Sequence, residues 1–432
     1  MIGARDRSRA PTRRGRQVSG SPAGGGDRPS GLRVVYVIGT YPVPTTTFID
    51  REIDAIRRLG AEVAVVSIRR PDQPLSGAQR ELRAGVDYVL PARAASLVRS
   101  HAAFLWTRPR VYVGTLAYLL SRPHPSMRAR VRTLLHFGVG VQVARVIRDR
   151  HPSDHIHAHF VDRAALVALV AGRLLGVPFS ATAHANDIYV DPVLLPEKMA
   201  HAEFIATCTR YNERHLRGLG AQAKVPDIRC VYHGLDVGSY RPPAPATRTE
   251  PRLLAVGQLK EKKGLRYLVE ACRILEDRGV GFECEVVGDG PLRGELESLV
   301  DRLGLGDRVR LVGSLPHEAV VARYRDAAIL VLPCVIDANG DRDGIPNVIL
   351  EAMAMELPVV STRHSGIPEA VGDGTSGVLV EPRDAVALAD ALQGLLSDPG
   401  LRERLGRSGR RRVLETFDVN VNARALLEGF SP

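Results

Sequence analysis

Asp343-Gly-Ile-Pro-Asn-Val-Ile-Leu-Glu351 runs on through Ala-Met-Ala-Met-Glu-Leu-Pro-Val-Val-Ser-Thr to His364-Ser-Gly-Ile-Pro-Glu369. Pro346 suits a first helical turn, and no breaker follows between Asn347 and Met355, so the stretch reads as a helix. The apolar run at 357–360 then reads as a buried parallel strand. Two carboxylates, Asp343 and Glu351, stand eight residues apart around this helix. Helical geometry through both would separate them by about 12 Å along the axis and about 80° around it. Such a pair cannot clamp one metal or share one proton, but it can hold two ends of an elongated ligand. A helix–strand unit with acids at its mouth belongs in the crevice where α/β sheets bind ligands.

Outward from this unit the chain alternates strand and helix twice over. Val34-Val-Tyr-Val-Ile38 opens the first series, with a helix expected at 46–59 and strands at 61–68, 86–90, 155–159, 179–183, 204–207 and 228–232. Residues 93–150 form a helical insertion broken by Pro109, Pro123 and Pro125. Tyr240-Arg-Pro-Pro-Ala-Pro-Ala-Thr-Arg-Thr-Glu-Pro251 has linker composition. Alternation restarts with strands at 253–256, 283–287, 309–312, 329–332 and 377–380, and three helical segments close the chain. The restart predicts two Rossmann-like parallel-sheet domains, 32–240 and 252–411, facing across a cleft.

The 432 residues carry a net charge of +11, which invites a nucleic-acid reading. Residues 1–31 account for +5 of it, with seven Arg against two Asp, and have the composition of a disordered tail without an apolar leader core. Nucleic acid is therefore not an expected partner. No apolar run is long enough to span a bilayer. The five cysteines show no paired spacing and read as reduced thiols of a cytoplasmic protein.

Lysine is scarce, and three of the five lie at Lys260, Lys262 and Lys263. They sit in Val256-Gly257-Gln258-Leu-Lys-Glu-Lys-Lys263-Gly264, between a strand and a helix start that favours an anion. Lysine acts on phosphate as a point charge on a flexible stem, so Lys263 beside Gly264 is the expected diphosphate ligand. Gly288-Asp289-Gly290 forms a second strand–turn–helix entry, whose glycines permit close backbone approach to a ligand. His155, His157 and His159 alternate along one strand and read as a packed strand end rather than a metal site.

These residues resemble the E-x7-E signature and phosphate loops of the retaining GT-B glycosyltransferases, glycosyltransferase family 4. The resemblance covers roughly residues 32–430, and the run from Asp341 with Phe417-Asp-Val is most similar to enzymes of exopolysaccharide and colanic-acid-type assembly. It implies that Asp343 reads donor-sugar hydroxyls and Glu351 holds the donor ribose. Gly257, Gln258, Lys263, Gly288, Asp289, Gly290, Gly344, Ile345, Pro346 and Asn347 would complete the donor site, and Val312-Gly-Ser-Leu315 would border the base. Thr182-Ala-His184-Ala-Asn-Asp187 matches the family's His-x-x-Asp loop, placing His184 near the reacting carbon, with Asp187 orienting the loop. Thr46, Thr47 and Asp187 fall on the acceptor side. Residues 412–432 would cross back to the first domain as a helix. The resemblance implies His184, Asp343 and Lys263 as catalytic groups, no bound metal despite the Asp341-Arg-Asp343 pattern, and no cofactor beyond the nucleotide diphosphate sugar co-substrate.

The chain departs from the family at four places. Asp343 replaces Glu, Gln258 replaces Arg, the loop Thr40-Tyr-Pro-Val-Pro-Thr-Thr-Thr47 lacks paired glycines, and Glu356 replaces Gly. In a left-handed backbone Glu356 would cost about 1–2 kcal/mol. The implied activity is transfer of a hexosyl unit from a UDP- or GDP-sugar to a glycan or lipid-linked acceptor. A non-catalytic nucleotide-sugar binder with a decayed site, and a same-fold epimerase or phosphorylase, are the alternatives. Residues 93–150 mix basic and apolar side chains, so they read either as a contact with an anionic membrane at its inner face or as an insertion packed on its own domain.

Overall fold

The computed structural model describes residues 31–43, 46–72, 75, 77–220, 226–243 and 250–431. The tail at 1–30 and the middle of the linker, 244–249, lie outside them. Seven strands build the first sheet: β1 (Arg33–Thr40), β2 (Glu62–Arg69), β3 (Val86–Tyr88), β4 (His155–His159), β5 (Phe179–Ala183), β6 (Phe204–Thr207) and β7 (Asp227–Cys230). Six build the second: β8 (Arg252–Val256), β9 (Glu283–Val287), β10 (Val309–Gly313), β11 (Ile329–Leu332), β12 (Val359–Thr362) and β13 (Val378–Val380). The orders are β3-β2-β1-β4-β5-β6-β7 and β10-β9-β8-β11-β12-β13, with parallel pairing throughout. Each order reverses beside the first strand, which opens a crevice at the carboxyl ends.

Both faces of each sheet are covered, so the strands are apolar at consecutive positions. In β1, Val35 and Val37 pack into the core shared with the helices Met127–Arg150 and Arg163–Leu175. Val34, Tyr36 and Ile38 enter the opposite core with the helices Thr47–Arg58 and Val419–Phe430. The second sheet divides the same way, Leu253 and Ala255 on one side and Leu254 and Val256 on the other. The insertion between β3 and β4 is three helices, Ala94–Thr107, Pro109–Ser121 and Met127–Arg150. Pro109 opens the second, and Pro123 and Pro125 lie in the gap before Ser126, whose hydroxyl caps the third.

The chain crosses between the sheets twice, and the two passes are bonded together. The Leu235 N–H donates to Phe417 O at 2.7 Å, and the Val419 N–H to Leu235 O at 3.1 Å. A side chain at Gly234 would meet the Val419 backbone at 2.2 Å, so the passes touch only because residue 234 is glycine. The returning helix Val419–Phe430 buries Phe430 against Tyr36, His155, His157 and Phe204. The crossing was expected within 412–432, with Phe417–Phe430 as its helix. The helix Pro399–Thr416 still runs through Arg412, whose guanidinium holds Glu369 O at 2.7 Å, and the chain leaves the second domain at Phe417, ahead of the helix Val419–Phe430.

Two further expectations are corrected. The strand expected at 357–360 is Val359–Thr362, because the Leu357 N–H closes the preceding helix onto Ala352 O. The helix itself is Asn347–Ala354, with Pro346 as its cap. Asp343 therefore lies in irregular chain before it, and the 12 Å helical estimate does not describe the pair. Glu356 has φ +56°, the left-handed conformation that costs a side-chain residue about 1–2 kcal/mol. The Arg410 guanidinium lies 4.0 Å from its carboxylate. A contact of that kind contributes about 0–1 kcal/mol.

The histidines of β4 are packed. His155 meets the Ser180 hydroxyl at 2.7 Å, and His157 meets Ser180 at 2.8 Å and Thr182 at 2.9 Å. Burial pushes His155 down to about 4 and His157 well below its ordinary value, so both are neutral at pH 7.

Glu356→Gly should raise stability by about 1 kcal/mol in chemical denaturation; an equal loss would mean the Arg410 side outweighs the strain. Acid should also destabilise the protein early. The unfolded chain protonates His155 and His157 near pH 6.5 while the folded state does not, so stability present above that pH is lost as pH falls toward 4. His155→Gln should make the loss between pH 7 and 5 shallower by about one proton. An unchanged slope would refute the assignment.

Candidate functional site

The phosphate-loop lysines meet the signature acids at the carboxyl ends of β8 and β11. Lys263 Nζ donates to Asp343 Oδ2 at 2.6 Å. Lys262 Nζ lies 3.1 Å from Asp341 Oδ2 and 3.5 Å from Asp343 Oδ1. All four side chains are largely shielded. Burial works against the charge on Lys263 and on Asp343, but each outweighs it for the other: Lys263 is raised and Asp343 lowered from their ordinary values. Asp341 and Asp343 thus face two ammonium groups. Among the described residues no group of three or more His, Cys, Asp or Glu stands ready to hold a metal ion. Lys262 joins the cluster, whereas Lys260 and Gln258 are exposed beside it.

Glycines fix the loop that carries these lysines. Gly264, at φ +63°, would place a Cβ 1.9 Å from Pro333 O, and the Val335 N–H bonds Lys262 O at 3.0 Å. Lys263 folds back over Gly257, where a Cβ would lie 3.3 Å from its Cε. Gly288 and Gly290 were expected to admit a ligand. On the side a Cβ would occupy they admit the neighbouring loop: those positions fall 1.9 Å from Gly257 O and 2.6 Å from Leu259 O. Asp289 is exposed and accepts from the Gly290 N–H at 2.7 Å. The two loops therefore set each other's position.

Glu351 is buried within its helix and accepts from the Tyr324 hydroxyl at 3.0 Å. Burial and then the Glu351 charge raise both Tyr324 and Tyr240 above the ordinary tyrosine value. Glu351, Asn347, Val256 and Leu315 line one wall of a cleft of about 1140 Å³, and Thr47, Asp50 and Arg51 of the first domain line the other. Leu315 belongs to the segment expected to border a base. Thr47 faces this cleft, whereas the Thr46 hydroxyl turns to Val43 O at 3.2 Å.

His184 caps the short helix Ala185–Tyr189 and stacks on His233, with ring centroids 5.1 Å apart. His233 in turn shares a small cavity with Ile345 and Leu350 of the second domain. Burial, followed by the neighbouring His233, His159 and His157, drives His184 well below its ordinary value, so it is a neutral imidazole at pH 7. Asp187 was placed on the acceptor side and as a loop orienter. It is buried, and its carboxylate accepts from the Val161 N–H at 2.5 Å and the His184 N–H at 3.1 Å. Burial and the Asp162 charge push it up to about 7. Its geometry is that of an orienter and not of a surface group.

Gly344 brings the domains together: a Cβ there would lie 3.2 Å from Thr209 Cγ2. Arg342 lies 3.9 Å over the Tyr189 ring and donates to the Tyr211 hydroxyl at 3.2 Å. Glu369 accepts from the Arg210 and Tyr211 N–H groups, both at 2.8 Å, and from the Tyr232 hydroxyl at 3.0 Å. The sequence reading missed Arg51, Tyr240, His233 and Tyr324. Tyr240, His233 and Tyr324 reach the site through partners far away in sequence, His317, His184 and Glu351, whereas Arg51 bonds Thr47 within its own helix.

Residues 238–412 match the family described as Glycosyl transferases group 1. The chain is 31% identical over 423 residues to the putative colanic acid biosynthesis glycosyltransferase WcaL of Escherichia coli, covering 91% of this chain and 98% of that one. It is 35% identical over 234 residues to the amylovoran biosynthesis glycosyltransferase AmsK of Erwinia amylovora, 54% of this chain and 57% of that protein. Among solved structures, Anabaena HepE in complex with UDP and glucose superposes with a TM-score of 0.67 at 16% identity, over 92% and 98% of the two chains. Sucrose-phosphate synthase from Thermosynechococcus elongatus gives 0.66 at 20% identity, over 92% and 97%. These structures share the fold, two parallel sheets across a cleft with a returning helix, which is GT-B. The chain belongs to the group 1 glycosyltransferases.

Proposed function

We propose that this glycosyltransferase moves a hexosyl unit, with retention of configuration, from a UDP- or GDP-sugar to a glycan or lipid-linked glycan in exopolysaccharide or cell-surface glycan assembly. The observation that carries the reading is the Lys263–Asp343 contact at 2.6 Å beside the cleft that Glu351 lines. A nucleotide diphosphate brings negative charge to the ammonium end of that pair. Lys263 would exchange Asp343 for the diphosphate, and the Asp343 carboxylate, released, would accept hydrogen bonds from sugar hydroxyls. Glu351 would hold the ribose and the backbone at 312–315 the base. The similarity to WcaL and AmsK, both named for exopolysaccharide biosynthesis, supports the biological setting.

In the transfer step the bond from the anomeric carbon to the leaving phosphate oxygen breaks while the acceptor oxygen bonds to the same face. The acceptor proton passes to the departing phosphate, so no enzyme nucleophile is required. Lys263 and the start of the helix Asn347–Ala354 stabilise the charge that develops on the diphosphate. Neutral His184 can donate one hydrogen bond to the sugar or phosphate without adding charge. The two lysines already neutralise Asp341 and Asp343, which favours a metal-independent reaction. A decayed binding site is the weaker reading, because Lys262 supplies a second cation near the place where Gln258 replaces the family's Arg.

Calorimetry with UDP-glucose and GDP-mannose should show binding of one donor type, weakened at least about tenfold in Lys263→Ala and clearly weakened in Glu351→Gln, with both variants still folded by circular dichroism. Absence of binding to any nucleotide sugar would overturn the reading. Slow donor hydrolysis followed by proton NMR should release the α-anomer first from an α-linked donor and should be unaffected by EDTA. The β-anomer would refute retention, and loss of turnover in EDTA would refute metal independence.

A further inference from the structure

The residues that the site leaves unused concentrate on the helical insertion. Residues 88–148 contain ten Arg and no Asp or Glu, in a chain that has 48 acids. Arg145 and Arg148 pair with Asp149, and Arg122 lies over the Tyr118 ring. Arg99, Arg110, Arg128, Arg130 and Arg132 are exposed and have no ion-pair partner among the described residues.

The same helices expose large apolar side chains. Trp106 is 88% exposed, Val98 68%, Met127 68% and Leu135 64%, with Leu105 and Val131 also open. Met127, Val131 and Leu135 recur every fourth residue, so they form one stripe on their helix. Gln142 bonds Ser96 and Ser100, and His101 lies against Gly138. These contacts run the two helices antiparallel and bring the Leu105–Trp106 end toward the 131–135 turn. None of the helices is long and apolar enough to cross a membrane. An exposed apolar stripe flanked by arginine is the pattern of a helix lying in a bilayer interface.

We infer that this insertion docks the enzyme on an anionic lipid bilayer, with Trp106 and the Met127–Val131–Leu135 stripe entering the interface and the arginines meeting lipid phosphates. Charge selects this occupant. A second copy packed on the same face would set arginine against arginine, since 88–148 offer no acid to receive them. The position is apt for transfer. A cavity of about 240 Å³ joins Arg128 and Arg132 to Asp162, Arg163 and Lys198. Asp162 and Arg163 follow the carboxyl end of β4, beside the Asp187–His184 loop, and Lys198 reaches Asp162 O from the helix Leu195–His201. A bilayer there would bring a lipid-linked acceptor to the mouth of the cleft. The docking itself does not depend on the donor reading.

Trp106 is the only tryptophan, so its emission reports the contact directly. Full-length protein mixed with phosphatidylglycerol/phosphatidylcholine vesicles should shift its emission to the blue, be quenched by brominated lipid and co-sediment. Phosphatidylcholine alone should do none of these, and salt should weaken the effect. Val131→Glu/Leu135→Glu and Arg128→Glu/Arg132→Glu should each partition at least about tenfold more weakly while keeping the wild-type affinity for nucleotide sugar. No response to phosphatidylglycerol would overturn the inference. Undiminished binding by both variants would also overturn it, since the contact would then belong to the basic N-terminal segment that both retain. A concentration-dependent shift without lipid, with a doubled mass, would overturn it in favour of self-association. Vesicle binding without nucleotide-sugar binding would leave the docking standing and remove the transferase reading.

Discussion

Lys263 on Asp343 at 2.6 Å is the contact on which the other features of the second domain converge. Either charge alone in that shielded position would be costly, and the pair is tolerable because each member neutralises the other. Lys262 and Asp341 extend it into a four-membered cluster with no net charge. The backbone beneath it is correspondingly constrained. Gly264 must be left-handed and lacks room for a Cβ under Pro333, and a Cβ at Gly257 would press on the lysine stem at 3.3 Å. The strand ends, the turn and the acidic segment are thus fixed by one electrostatic contact. A diphosphate would enter such a site by exchange, replacing one anion by another at the same ammonium and leaving Asp343 with Lys262 at 3.5 Å.

The first domain meets this cluster through polar contacts and a hinge rather than a shared core. Glu369 sits on the N-terminal N–H groups of the helix Arg210–Gly220, where the helix dipole favours a carboxylate. Arg342 stacks on Tyr189 immediately before Asp343. The residues that hold the domains together are therefore neighbours of the residues that would hold the donor. A ligand that pulls Asp343 toward a sugar also tugs the segment that bridges to the first domain. Such coupling follows from adjacency along the chain, and the paired passes at Leu235 and Phe417–Val419 supply the pivot.

Much of this was legible in the sequence because parallel strands buried on both faces are written as unbroken apolar runs. β11 falls where such a run begins and ends, and β4, β5, β6 and β9, interrupted by polar residues such as His157, Ser180, Thr207 and Glu285, still have the bounds expected of them. The signature unit was legible for its residues and less so for its geometry. Leu357 looks like strand but closes a helix, and Asp343 looks helical but is not. Gly288 and Gly290 show a subtler limit. A glycine announces that something comes close, and only the fold shows that the neighbour is Gly257 and Leu259 of the next loop. Tyr324 on Glu351 and His233 on His184 were invisible for a related reason, since each pair joins elements that are distant in sequence.

The histidine layer beneath His184 is the remaining feature without a local sequence explanation. Burial opposes the Glu52 charge, yet His159, with His157 and His233, holds its carboxyl down at about 2. Tyr36 donates to the same carboxylate at 2.9 Å. Glu52 is thus an ionised acid at the base of a stack that ends in neutral His184 and His233. A carboxylate facing imidazoles favours the tautomers that direct an N–H toward it, which leaves the opposite nitrogen of each such ring as an acceptor. Lacking formal charge, His184 would bring no electrostatic attraction to a diphosphate and no repulsion to a cationic transition state in the proposed reaction. The layer and the lysine cluster are therefore complementary. In the proposed reaction the first domain would offer a neutral polar floor, and the second would supply the positive charge at the leaving group.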